Sequence, residues 1–454
     1  MIVMKFGGTS VESAAAIERV AGIVRDRLAQ KPVVVVSAMG KTTNKLLAIA
    51  AAAAEGRSED AMRQLADLRA FHCKEAVGLG VDAEIGAHFE ELKHLVSCIG
   101  KKAELTPPDV DAISAFGERL SSVIVTACFR RWGIDAAHVD SRSVIVTDRR
   151  HMQAAPIFAE TYARLAAKIP AIAGKQVVVM GGFIASTEDG VTSTLGRGGS
   201  DYTASIVGAG IGAEEIQIWT DVDGMLTADP TIMPGGYRVK QCSFAEAAEL
   251  AYFGAKVLHP ATVLPAIEKN IPVRILNSRR PQVEGTLITG EAPALTSAKT
   301  SPIRSIACKR NITLVNIVST RMLMAHGFLR RIFEIFDRYE TPVDMLATSE
   351  VSVSLTVDNP RALAAIRGEI QEFAEVSVED DQAIVSLVGE NIRHAQDLTA
   401  RAFVALRGAN VRMISQGASR LNLSVVVAAA DLKGAVESLH REFFANPDPA
   451  AFEK

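Results

Sequence analysis

The stretch Lys5-Phe6-Gly7-Gly8-Thr9-Ser10, directly behind the apolar run Ile2-Val3-Met4, decides the fold class. A β-like run that breaks at paired glycines places bare backbone N–H groups at a strand end. A second pair, Gly181-Gly182, follows Val177-Val178-Val179-Met180 and precedes Thr194-Leu195-Gly196-Arg197-Gly198-Gly199-Ser200-Asp201. Glycine suits such places because a backbone wrapping an anion exposes consecutive N–H groups and often takes φ > 0, which a side chain obstructs. Two N–H cradles for a polyphosphate are therefore expected, with Lys5 at the mouth of the first to neutralise moving charge. The pattern points to a phosphoryl-transfer enzyme. Neither segment reads G-x-x-x-x-G-K-[ST], so a Walker P-loop is excluded.

Outward from these turns, 454 residues exceed one ordinary core and predict two or three domains. A net charge of −3 gives no basic footprint for nucleic acid or an acidic membrane. The cysteines Cys73, Cys98, Cys128, Cys242 and Cys308 are scattered without C-x-x-C spacing, so they read as thiols in a reducing cytosol and no metal site is expected. Ile2-Val3-Met4 follows Met1 without a basic n-region, and Ala48 to Ala54 falls short of the ~20 residues needed to span a bilayer. A soluble, cytoplasmic protein is the expectation.

Val33 to Ser37, Val177 to Met180, Glu215 to Trp219 and Val273 to Leu276 read as strands, alternating with helix-like stretches at Ala14 to Leu28, Ser58 to Ala70 and Phe244 to Ala251. This βαβ texture predicts an α/β domain over 1–290 with a mainly parallel sheet between helical layers. After the connector Gly290-Glu291-Ala292-Pro293 the texture changes. Ile312 to Val318, a helix from Gly327, Val343 to Leu346, Val351 to Thr356 and a helix from Pro360 are echoed from Ala383 onward at an offset of roughly 70 residues. Each copy has the ferredoxin-like order βαββαβ.

Six motifs stand in one order: Lys5 to Val11, Phe116-Gly117-Glu118-Arg119-Leu120-Ser121-Ser122, Gly196 to Asp201, Trp219-Thr220-Asp221-Val222-Asp223-Gly224, Ala228-Asp229-Pro230 and Phe253-Gly254-Ala255-Lys256-Val257-Leu258-His259-Pro260. With them, and with its tail, the chain resembles the aspartate kinase (aspartokinase) family over nearly its whole length, in the monofunctional, lysine-sensitive form. The resemblance implies an amino-acid-kinase three-layer fold at 1–290 followed by two ferredoxin-like ACT domains, at 305–374 and 375–446, with the strand near 305–314 completing the second. It implies transfer of the ATP γ-phosphoryl group to the β-carboxylate of L-aspartate, opening the lysine, threonine and methionine pathway. Mg2+ would be held mainly through the ATP phosphates. A carboxylate nucleophile has an ordinary pKa of about 3.9 and needs no general base, so charge neutralisation and positioning suffice.

By the same resemblance, Lys5 bridges the transferring group, Gly7 and Gly8 donate N–H groups, and Asp201 orients the lysine or the substrate ammonium. Ser37 and Thr43 meet the reacting carboxylate. Glu118 receives the α-ammonium, while Arg197, beside Gly198, clamps the α-carboxylate. Thr220, Asp221 and Lys256 reach the nucleotide. Leu226 and Thr231 depart from the family's tyrosine and arginine there, with Arg238 a candidate to compensate. Met322, Ala325, Gly327, Phe328, Leu329, Val343, Asp344 and Ser349 fall at the effector site, with Asp344 expected to pair with an amino-acid ammonium. A homo-oligomer, dimer or tetramer, through the ACT domains is implied. Two other readings stay open: a non-catalytic amino-acid sensor on the same fold, and a related kinase with another acidic substrate.

Read without the resemblance, Glu118 and Arg119 are also compatible with an exposed helix pair, and Arg197 and Asp201 with an i,i+4 surface pair. The three glycines argue against a regular helix before Ser200.

Overall fold

The computed structural model describes residues 1–254, 260–292, 302–319 and 326–454. They divide into two compact units, Met1–Met225 with Val257–Glu291, and Leu226–Lys256 with Ala292–Lys454.

In the first unit the sheet runs Thr286–Thr289, Val273–Asn277, Glu215–Thr220, Ile2–Phe6, Val33–Val36, Val177–Gly181, Ala136–Val139. All neighbours are parallel except the pair Val273–Asn277 and Thr286–Thr289. Val33–Val36 and Ile2–Phe6 are buried along their whole length, as continuous apolar runs covered on both faces must be. Ile2–Phe6 lies between Val33–Val36 and Glu215–Thr220, so Lys5 stands opposite Val35 on one side and Ile218 on the other. Helices Ala14–Arg25, Thr42–Ala54, Ser58–Glu75, Asp82–Lys102 and Phe116–Arg131 supply one large apolar core with Phe6 and Trp219. The apolar helical run Pro107–Arg131 has membrane-crossing length, but 94% of its apolar window is buried inside the fold. It is a core element.

The second unit carries one sheet in the order Leu346–Thr348, Ser352–Val357, Ile303–Val318, Glu375–Gly389, Asn422–Ala428, Met413–Gln416. Its two long central strands are antiparallel and serve both repeats. Residues Ile312 to Val318 pair with Ser352–Val357 and with the first half of Glu375–Gly389, while Ile303 to Lys309 pair with the second half. The register with Glu375–Gly389 breaks between Lys309 and Ile312, where Asn311 takes φ 58, a left-handed residue at the bulge. Helices Phe328–Arg338 and Leu363–Ile370 cover one repeat, with Phe336 and Ile366 in its core. Helices Leu398–Ala405 and Leu432–Phe443 belong to the other.

Leu226–Lys256 groups with the second compact unit. Thr227 O accepts from Ile306 N at 2.8 Å, the fully buried Arg304 and Glu246 form an ion pair, and Thr227 Oγ1 bonds His440. These ties bind it into the second unit.

Candidate active site

The strand ends of the first unit surround a cavity of about 340 Å³. Lys5 reaches it from the strand Ile2–Phe6, Ser37 from just beyond Val33–Val36, and Thr43 from the first turn of Thr42–Ala54. Glu118 comes from Phe116–Arg131, and Gly198 and Asp201 from the start of the helix Gly199–Ile211. Residues scattered over nearly two hundred positions thus converge because parallel strands all end on one edge.

Lys5 Nζ lies 2.6 Å from Asp201 Oδ1, and both side chains are largely buried. Glu118 is 3% exposed. Its Oε1 accepts from Ala38 N at 3.1 Å, and its Oε2 has no protein partner. Burial pushes its carboxyl up to about 8, against the opposing pull of the Ala38 N–H bond and the Lys5 charge. An unpartnered buried carboxylate oxygen costs about 1–3 kcal/mol, so this oxygen is a socket for a donor, best a cation. Arg119 pairs instead with Glu91 at 2.6 Å and lies over the Phe116 ring, so residues 118 and 119 are not an exposed pair.

Both expected N–H cradles differ in detail. Gly7 N donates to Trp219 O at 3.2 Å and Gly182 N to Val36 O at 2.8 Å. In each case the parallel ladder continues one residue past the strand and takes the N–H that was expected to meet phosphate. Gly8 remains at the cavity, and a Cβ there would come 3.0 Å from Ala38 O and 3.1 Å from Gly40 O. On the other side the cradle is the helix start itself. Gly198 caps Gly199–Ile211 at φ 71, a left-handed conformation that glycine adopts without strain, and Gly199 and Ser200 line the cavity. The helix begins one residue before the Ser200 start expected. Arg197, exposed in the turn between Gly196 and Gly198, lies outside the cavity lining.

Thr220 closes the strand Glu215–Thr220, where its carbonyl accepts from Ser278 N at 2.8 Å. Its hydroxyl donates to Asp221 Oδ1 at 3.2 Å, and Asp221 is exposed. Lys256 and His259 lie outside the described residues. Thr231, in the second unit, bonds Asp229 Oδ1 through both its N–H and its hydroxyl. Arg238 is buried and ion-paired with Glu453.

At the expected effector site, Met322, Met324 and Ala325 lie outside the described residues. Gly327 caps Phe328–Arg338 at φ 80, Phe328 meets Phe373 edge-on, Leu329 is exposed and Val343 packs on that core. Ser349 shares a turn with Ser352. Asp344 is not an open carboxylate. Lys309 Nζ lies 2.6 Å from its Oδ1, Tyr252 donates to the same atom, and Asp358 takes the other side of Lys309 at 3.0 Å. Burial nevertheless holds the Asp344 carboxyl above the ordinary carboxylate range.

Phe183, Ser200 and Ala38 line the cavity without having been singled out from the sequence. The signal was their place one to three residues beyond strand or glycine turns already read. Asp111 and Thr194 had no local signal, because their bond joins residues far apart in sequence.

Residues 1–277 match the model of the amino acid kinase family and residues 385–443 that of the ACT domain. Aspartokinase 1, chloroplastic, of Arabidopsis thaliana is 40% identical across 98% of this chain and 80% of its own length. The crystal structure of E. coli aspartokinase III in complex with lysine and aspartate (T-state) superposes with a TM-score of 0.83 at 34% identity, covering 98% of this chain and 99% of that one. The same E. coli protein in complex with aspartate and ADP (R-state) gives 0.82 at 34%, covering 98% and 100%. With this similarity along nearly its whole length, the chain belongs to the aspartokinase family of amino acid kinases.

Proposed function

We propose that the chain is an ATP-dependent aspartate kinase, moving the γ-phosphoryl group of ATP to the β-carboxylate of L-aspartate to give 4-phospho-L-aspartate. The observation that carries this reading is the Lys5–Asp201 ion pair, 2.6 Å long, in one cavity with the half-satisfied Glu118 carboxylate. Such a site suits a zwitterion with a second acid. The substrate ammonium meets Glu118 Oε2, its α-carboxylate meets Arg197, and Ser37 and Thr43 take the reacting carboxylate. Lys5, held by Asp201, and the backbone at Gly8 neutralise the group in flight. Thr220, Asp221 and Lys256 hold the nucleotide.

Mg2+, when bound, supplies charge neutralisation at the phosphates. The ion would be held mainly through the ATP phosphates. Five free cysteines fit a reducing cytosol.

The regulatory half reads as two ACT domains, 305–374 and 375–446, with residues 303–309 completing the second. Lysine is the favoured effector, at Gly327, Phe328, Leu329, Val343, Asp344 and Ser349, with Met322 and Ala325. The edge strands Leu346–Thr348 and Met413–Gln416 present Leu346 and Ile414 to solvent, which supports a homo-oligomer built through these edges. Aspartyl hydroxamate formation from Mg-ATP and L-aspartate, run with and without millimolar lysine and threonine, tests the whole reading. Activity lost with lysine is expected; aspartate bound without turnover would return the chain to the sensor class.

A further inference from the structure

Asp111, fully buried in the helix Pro107–Ser114, gathers donors from two distant segments. Thr194 Oγ1 donates to its Oδ1 at 2.5 Å, Met152 N lies 3.0 Å from both oxygens, and His151 Nδ1 lies 2.8 Å from Oδ2. Met152 takes φ 69, a left-handed conformation rare for a residue with a side chain, and in that conformation its N–H points to Asp111. The segments Met152 to Ala154 and Thr194 to Gly196 are then zipped together. Ala154 N donates to Thr194 O at 2.9 Å, and a Cβ on Gly196 would stand 3.1 Å from Met152 O. One residue later comes the exposed Arg197, in the turn between Gly196 and Gly198.

We propose that Asp111 is a positioning residue for substrate recognition: through Thr194 and Met152 it fixes the turn Leu195 to Gly198 and thereby the point at which Arg197 meets the substrate α-carboxylate. The inference rests on the reading of Arg197 as the clamp. Hydrogen bonds to a buried charge are worth more than neutral ones, and the partners of a deleted carboxylate are left buried and unmatched. A turn lacking that anchor samples other conformations, and each costs apparent affinity for the group it should clamp.

Steady-state kinetics of the full chain test it, with Asp111→Asn, the nearly isosteric Thr194→Val, Arg197→Ala and the double variant Thr194→Val/Arg197→Ala. Asp111→Asn and Thr194→Val are expected to raise the KM for aspartate by about tenfold, the equivalent of one lost hydrogen bond to a charge, while the KM for ATP stays within about twofold. In the Arg197→Ala background Thr194→Val should add nothing, because both act through one contact. Should Asp111→Asn fail to fold, Thr194→Val carries the test alone. Full additivity, or equal losses toward ATP and aspartate, would overturn the positioning role while leaving the clamp standing. An unchanged aspartate KM in Arg197→Ala would remove the clamp and the anchor's purpose together.

Discussion

Lys309 Nζ sits 2.6 Å from Asp344 Oδ1, so the carboxylate expected to receive an effector's ammonium already holds an ammonium of its own chain. Lys309 also bridges to Asp358 and lies near the Tyr252 ring, and Asp344 Oδ2 remains buried without a partner. An external amino acid must share or displace this internal cation. Removing Lys309 leaves two carboxylates without their counter-charge, which favours any cation that arrives. Lys309→Met is therefore expected to lower the half-inhibitory lysine concentration by about tenfold, the size of a one-unit electrostatic change. Lysine titration of the hydroxamate reaction checks it; weaker inhibition would show that Lys309 builds the site rather than competes for it.

In the first unit, Lys5→Met should reduce kcat by roughly 10²–10³, the cost of removing one charge-stabilising donor from a transition state. Asp201→Asn should act in the same direction and more weakly, since Lys5 stays charged but is no longer held. Initial rates at saturating aspartate and ATP read both; a wild-type kcat in Lys5→Met would dismiss the cavity as the site of transfer.

Glu118 makes binding and stability depend on pH. Its folded carboxyl titrates at about 8, whereas an unfolded one sits at the ordinary 4.5. Between those values the folded state binds the extra proton, so the free protein loses stability as pH rises through this window. Glu118→Gln abolishes that slope and should unfold at a higher temperature than the parent at pH 8. An arriving substrate ammonium reverses the preference and ionises Glu118, so aspartate binding at pH 7 should release a proton. Calorimetry in two buffers of different ionisation enthalpy measures it, and a buffer-independent heat would sink the pairing.

Stability of the second unit should depend on Glu246, which is fully buried, caps Phe244–Tyr252 through Ser243 and faces Arg304 at 3.2 Å. Glu246→Ala removes a carboxylate that faces the buried Arg304 guanidinium, and breaking such a pair usually costs about 3–5 kcal/mol. Urea unfolding followed in the full chain would register it; a loss below 1 kcal/mol, roughly that of an exposed pair, would mean that water reaches Arg304.

Local periodicity and glycine placement carried the strand and helix order, because alternation, β-branched runs and turn residues act within a few positions of themselves. The strands expected at Val33, Val177, Glu215 and Val273 all formed, and Lys5, Ser37, Thr43, Glu118 and Asp201 did meet in one cavity. What tertiary structure alone decided was which polar groups remain available. The N–H groups of Gly7 and Gly182 are taken by carbonyls of neighbouring strands, Arg238 by Glu453, and Asp344 by Lys309. Likewise Asp111 joins Thr194 across a separation no window along the chain contains. A sequence determines what each residue can donate or accept, whereas burial and through-space distance determine whether a partner from elsewhere in the chain has already claimed it.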